Sequence, residues 1–138
     1  MEKILGGYSA QIYALMRIIV GLLFMCHGAQ KLFDVFGGLN GAAAPLFSLM
    51  DLAGVIEFFG GLLVAVGFLT GSVAFLASGQ MAAAYFMEHF PLGFWPIRNY
   101  GELPVLFCFV FLYVASVGSG IWSVDAARRG TLRTRVRI

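Results

Sequence analysis

Residues 103–122, LPVLFCFVFLYVASVGSGIW, decide the fold, because they run for twenty positions without a charge. An α-helix rises 1.5 Å per residue, so about 20 apolar residues cross the roughly 30 Å hydrocarbon layer of a bilayer. Working back from this stretch, three earlier segments have the same length and character. Residues 72–90 hold Gln80 within them and Glu88 and His89 at their end; residues 52–70 hold Glu57; residues 12–33 hold Arg17, His27, Gln30 and Lys31. The chain reads as an all-α membrane protein, an antiparallel four-transmembrane-helix bundle over residues 1–125 with a basic tail over 126–138. No strand alternation or nucleotide-binding glycine pattern competes with that reading.

Composition points the same way. The 138 residues are 60% apolar and only 12% charged, with a mean hydropathy of +0.88, whereas soluble domains carry about 25% charged residues. So little polar surface cannot cover four long apolar runs in water. The net charge of +2 is unevenly spread: Arg128, Arg129, Arg133, Arg135 and Arg137 supply five of the nine basic residues within the last eleven positions. That tail has no aromatic side chains to stack on bases, which argues against nucleic acid as a partner and for an anchor on the inner face of a membrane. With four spans both termini share a side, and the tail places that side in the cytoplasm. Lys3 agrees; Lys31 and Arg98 count against it. No cleavable leader is expected, since Arg17 interrupts the first apolar run.

The connections differ in kind. Thr70, Gly71 and Ser72 read as a tight turn between the second and third helices. The longer stretch from Asp34 to Met50, with Gly37, Gly38, Asn40, Gly41 and Pro45 among apolar residues, reads as a loop lying in the interface. The stretch from Pro91 to Gly101 sets Phe94, Trp95 and Tyr100 at headgroup depth.

Apart from Arg17, this topology sends nearly every ionisable side chain near the membrane to the outer half. His27, Gln30 and Lys31 end the first helix, Asp51 and Glu57 begin the second, Glu88 and His89 close the third, and Arg98, Asn99 and Glu102 open the fourth. At 100° per residue, Arg17, Gly21, Phe24, Gly28 and Lys31 share one stripe with His27 at its edge. Gly54, Glu57, Gly60 and Gly61 share another, and small residues let helices approach closely in lipid. Such stripes serve contacts between subunits as readily as within one, so a homo-oligomer stays open. On the fourth helix Glu102, Leu106, Phe109, Tyr113, Ser116 and Gly120 form the expected seam. Glu57 stands about 8 Å inside its helix, where a carboxylate needs a partner, a proton or a wet cavity; Lys31, Arg98 and His27 are the candidate partners. The bland alternative is a bundle-stabilising ion pair with no chemistry. Arg17 either extends its stem to the inner interface or faces Gln80.

Three other chemistries are weaker. Haem held by His27 and His89 meets a depth mismatch of roughly 7 Å, and His89 falls opposite Gln80 on its helix, so the two are not expected to face in together. No compact ligand spacing supports a metal site at His27, Glu57 and Glu102. Cys26 and Cys108 lie at similar depth, but buried cysteine commonly acts as a small hydrophobe.

The ordered set Arg17 and Gly21, His27-Gly28-Ala29-Gln30-Lys31-Leu32, Glu57 to Gly61 with Gly67, Gln80-Met81-Ala82 through His89, Asn99-Tyr100-Gly101-Glu102, and Gly118 to Asp125 resembles the DoxX family of small four-helix membrane proteins. The family often places a basic residue in the turn between helices two and three, where this chain has Gly71 and Ser72. The resemblance implies a bacterial or archaeal cytoplasmic-membrane protein linked to quinone-coupled oxidoreduction, as in thiosulfate:quinone oxidoreductase and quinol oxidase subunits.

Residues and resemblance together give the expectation of a membrane subunit that binds a small redox-active molecule, a quinone or a sulfur compound, in an outer polar chamber. Glu57 and His27 exchange protons with it, Lys31 and Arg98 hold an anionic group, and Gln30, Asn99 and Glu102 complete the hydrogen bonding. The chain has no evident electron-carrier motif, so redox activity calls for a soluble redox-enzyme partner or direct transfer from substrate. Two rivals stand beside it: a non-catalytic anchor or assembly factor for soluble redox enzymes, and a small transporter, which the absent inverted repeat disfavours.

Overall fold

The computed structural model describes the backbone of residues 2–38 and 42–135 and the side chains of 4–38 and 42–130. Lys3, Asn40, Gly41 and the tail arginines Arg133, Arg135 and Arg137, which entered the reading above, lie outside the described side chains. Five helices carry the fold: α1 (Ser9–Phe33), α2 (Leu49–Val66), α3 (Thr70–Ala84), α4 (Glu102–Val117) and α5 (Val124–Arg135). Short helical turns precede α1 and follow α3, and no strand forms among the described residues. Two segments, Gly6–Phe33 and Leu49–Val66, are long and apolar enough to cross a membrane, while Glu102–Val117 is apolar but shorter.

Local chemistry sets the helix ends. Ser48 caps α2 by accepting from the Asp51 amide at 3.0 Å, satisfying a donor that the first turn leaves free. Gly67 ends α2 in the left-handed region (φ +75°), donating to the Leu63 carbonyl at 2.9 Å while Phe68 donates to the same oxygen at 3.0 Å. The turn between the second and third helices is therefore residues 67–69; the expected turn residues Thr70, Gly71 and Ser72 are the first turn of α3. The cause is that a glycine readily takes the left-handed conformation that closes a helix. The fourth span expected to reach Trp122 stops at Val117, because Gly118 turns the chain away at φ +83°.

All four long apolar helices share one buried cluster, Phe24, Val64, Ala74, Ala77, Met81, Phe107, Phe111 and Val114. α1 packs most closely on α2, and α3 on α4, while α2 and α3 touch more sparingly. The α1–α2 approach is closest at Gly21, Gly28 and Gly61, where an added Cβ would overlap the facing backbone of Ala65, Phe58 and Met25. The buried faces of α1 (Arg17, Gly21, Phe24, Gly28) and α2 (Gly54, Glu57, Gly60, Gly61) are the ones helical phase gives.

The buried face of α4 is different from the expected seam. Pro104, Phe107, Phe111 and Val114 are buried, whereas Leu106 is 62% and Phe109 66% exposed. The reason is packing: Phe107 and Phe111 stack on one another and meet Phe24 across the bundle, and Glu102 is carried outward with Leu106 and Phe109.

The end of the molecule near the α2–α3 turn is closed by a polar network, not by hydrocarbon alone. Arg17 is 0% exposed. Its Nη1 donates to the carbonyls of Val64 at 2.6 Å and Ala65 at 2.7 Å, and its Nη2 to Trp122 at 2.8 Å. Gln80 does not receive it; carbonyls of the last turn of α2 and of Trp122 do. Asp125 completes the closure by accepting from the amides of Leu69 and Thr70, each at 3.2 Å. Beyond it, Arg128 lies over the Phe68 ring at 5.4 Å and Arg129 donates to Ser119 at 2.8 Å.

Candidate functional site

At the opposite end, the sparse contact between α2 and α3 leaves a cavity of about 490 Å³. α1 gives it Phe24, His27 and Lys31, α2 gives Ile56 and Glu57, α3 gives Gln80 and Met81, and α4 gives Leu103, Pro104 and Phe107. Leu49, Leu52 and Met87 also line it and are themselves exposed on the surface, so its mouth lies between the start of α2 and the end of α3.

Glu57 is the buried centre, at 1% exposure. The Lys31 ammonium pairs with its Oε1, and Gln80 Nε2 donates to the same oxygen at 2.8 Å. The second oxygen, Oε2, is buried without a hydrogen-bond partner, and so is Gln80 Oε1. A buried carboxylate is stable only when paired. Here half of it is paired and half is left unsatisfied beside a cavity. Sequence reasoning missed the Glu57–Gln80 contact, although Gln80 was the one uncharged polar side chain of its length within the third apolar run.

His27 and His89 both line the cavity. The expected opposition of Gln80 and His89 fails because α3 passes into a π-helical turn over Tyr85–His89. Its wider winding shifts the phase, and such turns recur at functional sites. His89 Nδ1 donates to the Asn99 carbonyl at 2.8 Å; the His27 ring meets the Phe107 edge at 6.0 Å. Glu88 also lines the cavity, from its exposed rim.

The remaining expected site residues stand elsewhere. Arg98 and Glu102 are exposed and do not line the cavity. α4 presents Pro104 and Phe107 there instead, so polar groups come from three helices and not four, and the ion-pair partner of Glu57 is Lys31 and not Arg98. Asn99 is buried but directed at its own loop: Nδ2 donates to Gly93 O at 2.7 Å and Oδ1 accepts from the Gly101 amide at 2.8 Å. It holds His89 and does not reach the cavity. Gln30 likewise ties the loop after α1, donating to Gly38 O at 3.1 Å. Among the described residues no three His, Cys, Asp or Glu side chains are grouped to hold a metal.

Two helices long and apolar enough to cross a membrane, apolar side chains exposed along their outer faces and a buried ion pair beside an internal cavity are features of a small helical membrane protein. The chain belongs to the DoxX family: the family's sequence model, described as DoxX, matches residues 12–90. It is also similar to an uncharacterized protein of Haemophilus influenzae, at 37% identity over 127 residues, which is 88% of this chain and 93% of that one. No solved structure matches the chain. The family match takes in His27, Lys31, Glu57, Gln80 and His89, the polar wall of the cavity, and stops before Asn99 and Glu102.

Proposed function

We propose that this protein is a multi-pass cytoplasmic-membrane subunit that binds a small, lipid-soluble, redox-active molecule of the quinone type in the cavity beside Glu57. In this reading α1, α2, α3 with its π turn, and α4 cross the bilayer in alternating directions. The arginine-rich α5 and both termini lie on the cytoplasmic side, as the distribution of basic residues favours. The cavity then sits in the outer half of the membrane with its mouth towards hydrocarbon, and a ligand enters sideways from lipid. Glu57 and His27 are the groups placed to take up or give protons there, and a soluble redox enzyme exchanges the electrons.

The observation that carries this reading is the unsatisfied Oε2 of a fully buried Glu57 at the wall of a largely apolar cavity. Ligand pockets combine apolar walls with a few convergent polar groups, and an isolated structural ion pair has no use for the space. A charged sulfur compound fits less well, because Lys31 already neutralises Glu57 and Arg98 stands outside. The test is to purify the protein from its own membrane, extract it with organic solvent and identify lipid-soluble molecules by mass spectrometry. A quinone-type compound held by the wild type and lost in a folded Glu57→Leu variant supports the reading. Its absence from both, or equal amounts in both, contradicts it.

A further inference from the structure

The unpartnered atoms at the cavity say more than that something binds. Glu57 Oε2 and Gln80 Oε1 are both hydrogen-bond acceptors, and both are buried. The orientation of the Gln80 amide is fixed by chemistry: its Nε2 faces Glu57 Oε1 at 2.8 Å, and turning the amide over would set an amide oxygen against a carboxylate oxygen. These two acceptors therefore lack a donor. The site also has no spare charge, since the Lys31 ammonium pairs with Glu57.

Lys31 sharpens the requirement. An ammonium carries three protons, and the Glu57 contact uses one. An oxygen that meets both Lys31 and the bare acceptors must accept and donate at once. A hydroxyl does both. A carbonyl oxygen accepts from Lys31 but brings no proton to either acceptor, whereas a hydroxyl brings one to Glu57 Oε2 or Gln80 Oε1, and an anion adds charge beside an ion pair that is already neutral.

We infer that the group held beside Glu57 and Gln80 is a neutral, hydroxyl-bearing head, so that the cavity selects the dihydroxy form of its ligand over the dicarbonyl form. This rests on the cavity being a binding site for a lipid-soluble molecule. Leaving a buried acceptor unpaired weakens binding by about tenfold or more, which sets the size of the discrimination.

The inference is tested with three probes on one skeleton: a decyl-substituted hydroquinone, its dimethyl ether and the matching benzoquinone. Equilibrium binding to the purified protein in lipid nanodiscs is measured for each. The hydroquinone is expected to bind at least about tenfold more tightly than the ether and the quinone. In Glu57→Gln, Lys31 and the Gln80 amide hold the new carbonyl oxygen at the Oε1 position, which turns the new amide nitrogen towards the place of Oε2. That variant is expected to reverse the preference and favour the quinone. Equal affinity for hydroquinone and ether, a wild type that prefers the quinone, or an unchanged preference in Glu57→Gln overturns the inference while leaving the cavity as a binding site. No binding of any probe overturns the inference and the binding-site reading together.

Discussion

Lys31 of α1 and Glu57 of α2 form an ion pair within the helical body, with the carboxylate at 1% exposure and the ammonium partly exposed. The pair joins the two helices that pack most closely, directly beside the Gly28 crossing. It gives the cavity wall a neutral but strongly polar patch.

Removing one member leaves the other buried and uncompensated, which costs about 3–5 kcal/mol in a buried pair. Lys31→Met is therefore expected to lower thermal stability in detergent sharply. Adding Glu57→Gln to Lys31→Met removes the orphaned charge and is expected to recover most of the loss. A double variant no more stable than Lys31→Met contradicts the pairing.

The glycines of the bundle make a second contrast. A Cβ at Gly28 would strike the Phe58 backbone, whereas nothing lies within 4 Å of one at Gly79. Gly28→Ala must push α1 and α2 apart and is expected to cost about 1–3 kcal/mol. Gly79→Ala meets open space within a helix and is expected to be neutral or stabilising by up to about 1 kcal/mol. Unfolding midpoints of both variants in one detergent check the pair; equal effects contradict the close crossing.

How much of this was legible in the sequence depends on what held each residue. The stripes through Gly28 and Glu57 followed from helical phase, since regular helices place i and i+4 together. The face of α4 did not, because Glu102 is the single charge at the end of a helix that is otherwise apolar all round and its phase does not mark the inward side; Phe107 and Phe111 decide it by packing against Phe24. The π turn at Tyr85–His89 changes only the backbone winding, and no pattern of side chains announces it. Arg17 was singled out as buried or extended, but its partners are carbonyls of Val64, Ala65 and Trp122, and every residue has a carbonyl.

Acidification probes the other end of the molecule. Burial works against the charged form of Asp125, but hydrogen bonds from the Thr70 and Leu69 amides and the Thr70 hydroxyl, with the charge of Arg129, outweigh it. They hold its carboxyl below the usual 3.8. The unfolded chain then binds the proton first as pH falls. The contribution of Asp125 is complete above its unfolded value and is lost as pH drops through its lower folded value. Unfolding midpoints below pH 3.8 are expected to fall more steeply for the wild type than for Asp125→Asn. Parallel curves contradict this closure.

The central claim, that the cavity between α2 and α3 receives a molecule from the lipid, is tested most directly by photoaffinity labelling in native membranes. A decyl hydroquinone carrying a photoreactive azide on its alkyl tail is bound, activated by light and mapped by peptide mass spectrometry. The account predicts adducts concentrated on Leu52, Ile56 and Met87 at the cavity and its mouth, reduced by excess unlabelled probe. Adducts spread evenly onto outward residues such as Leu106 and Phe109, and indifferent to that excess, would contradict it.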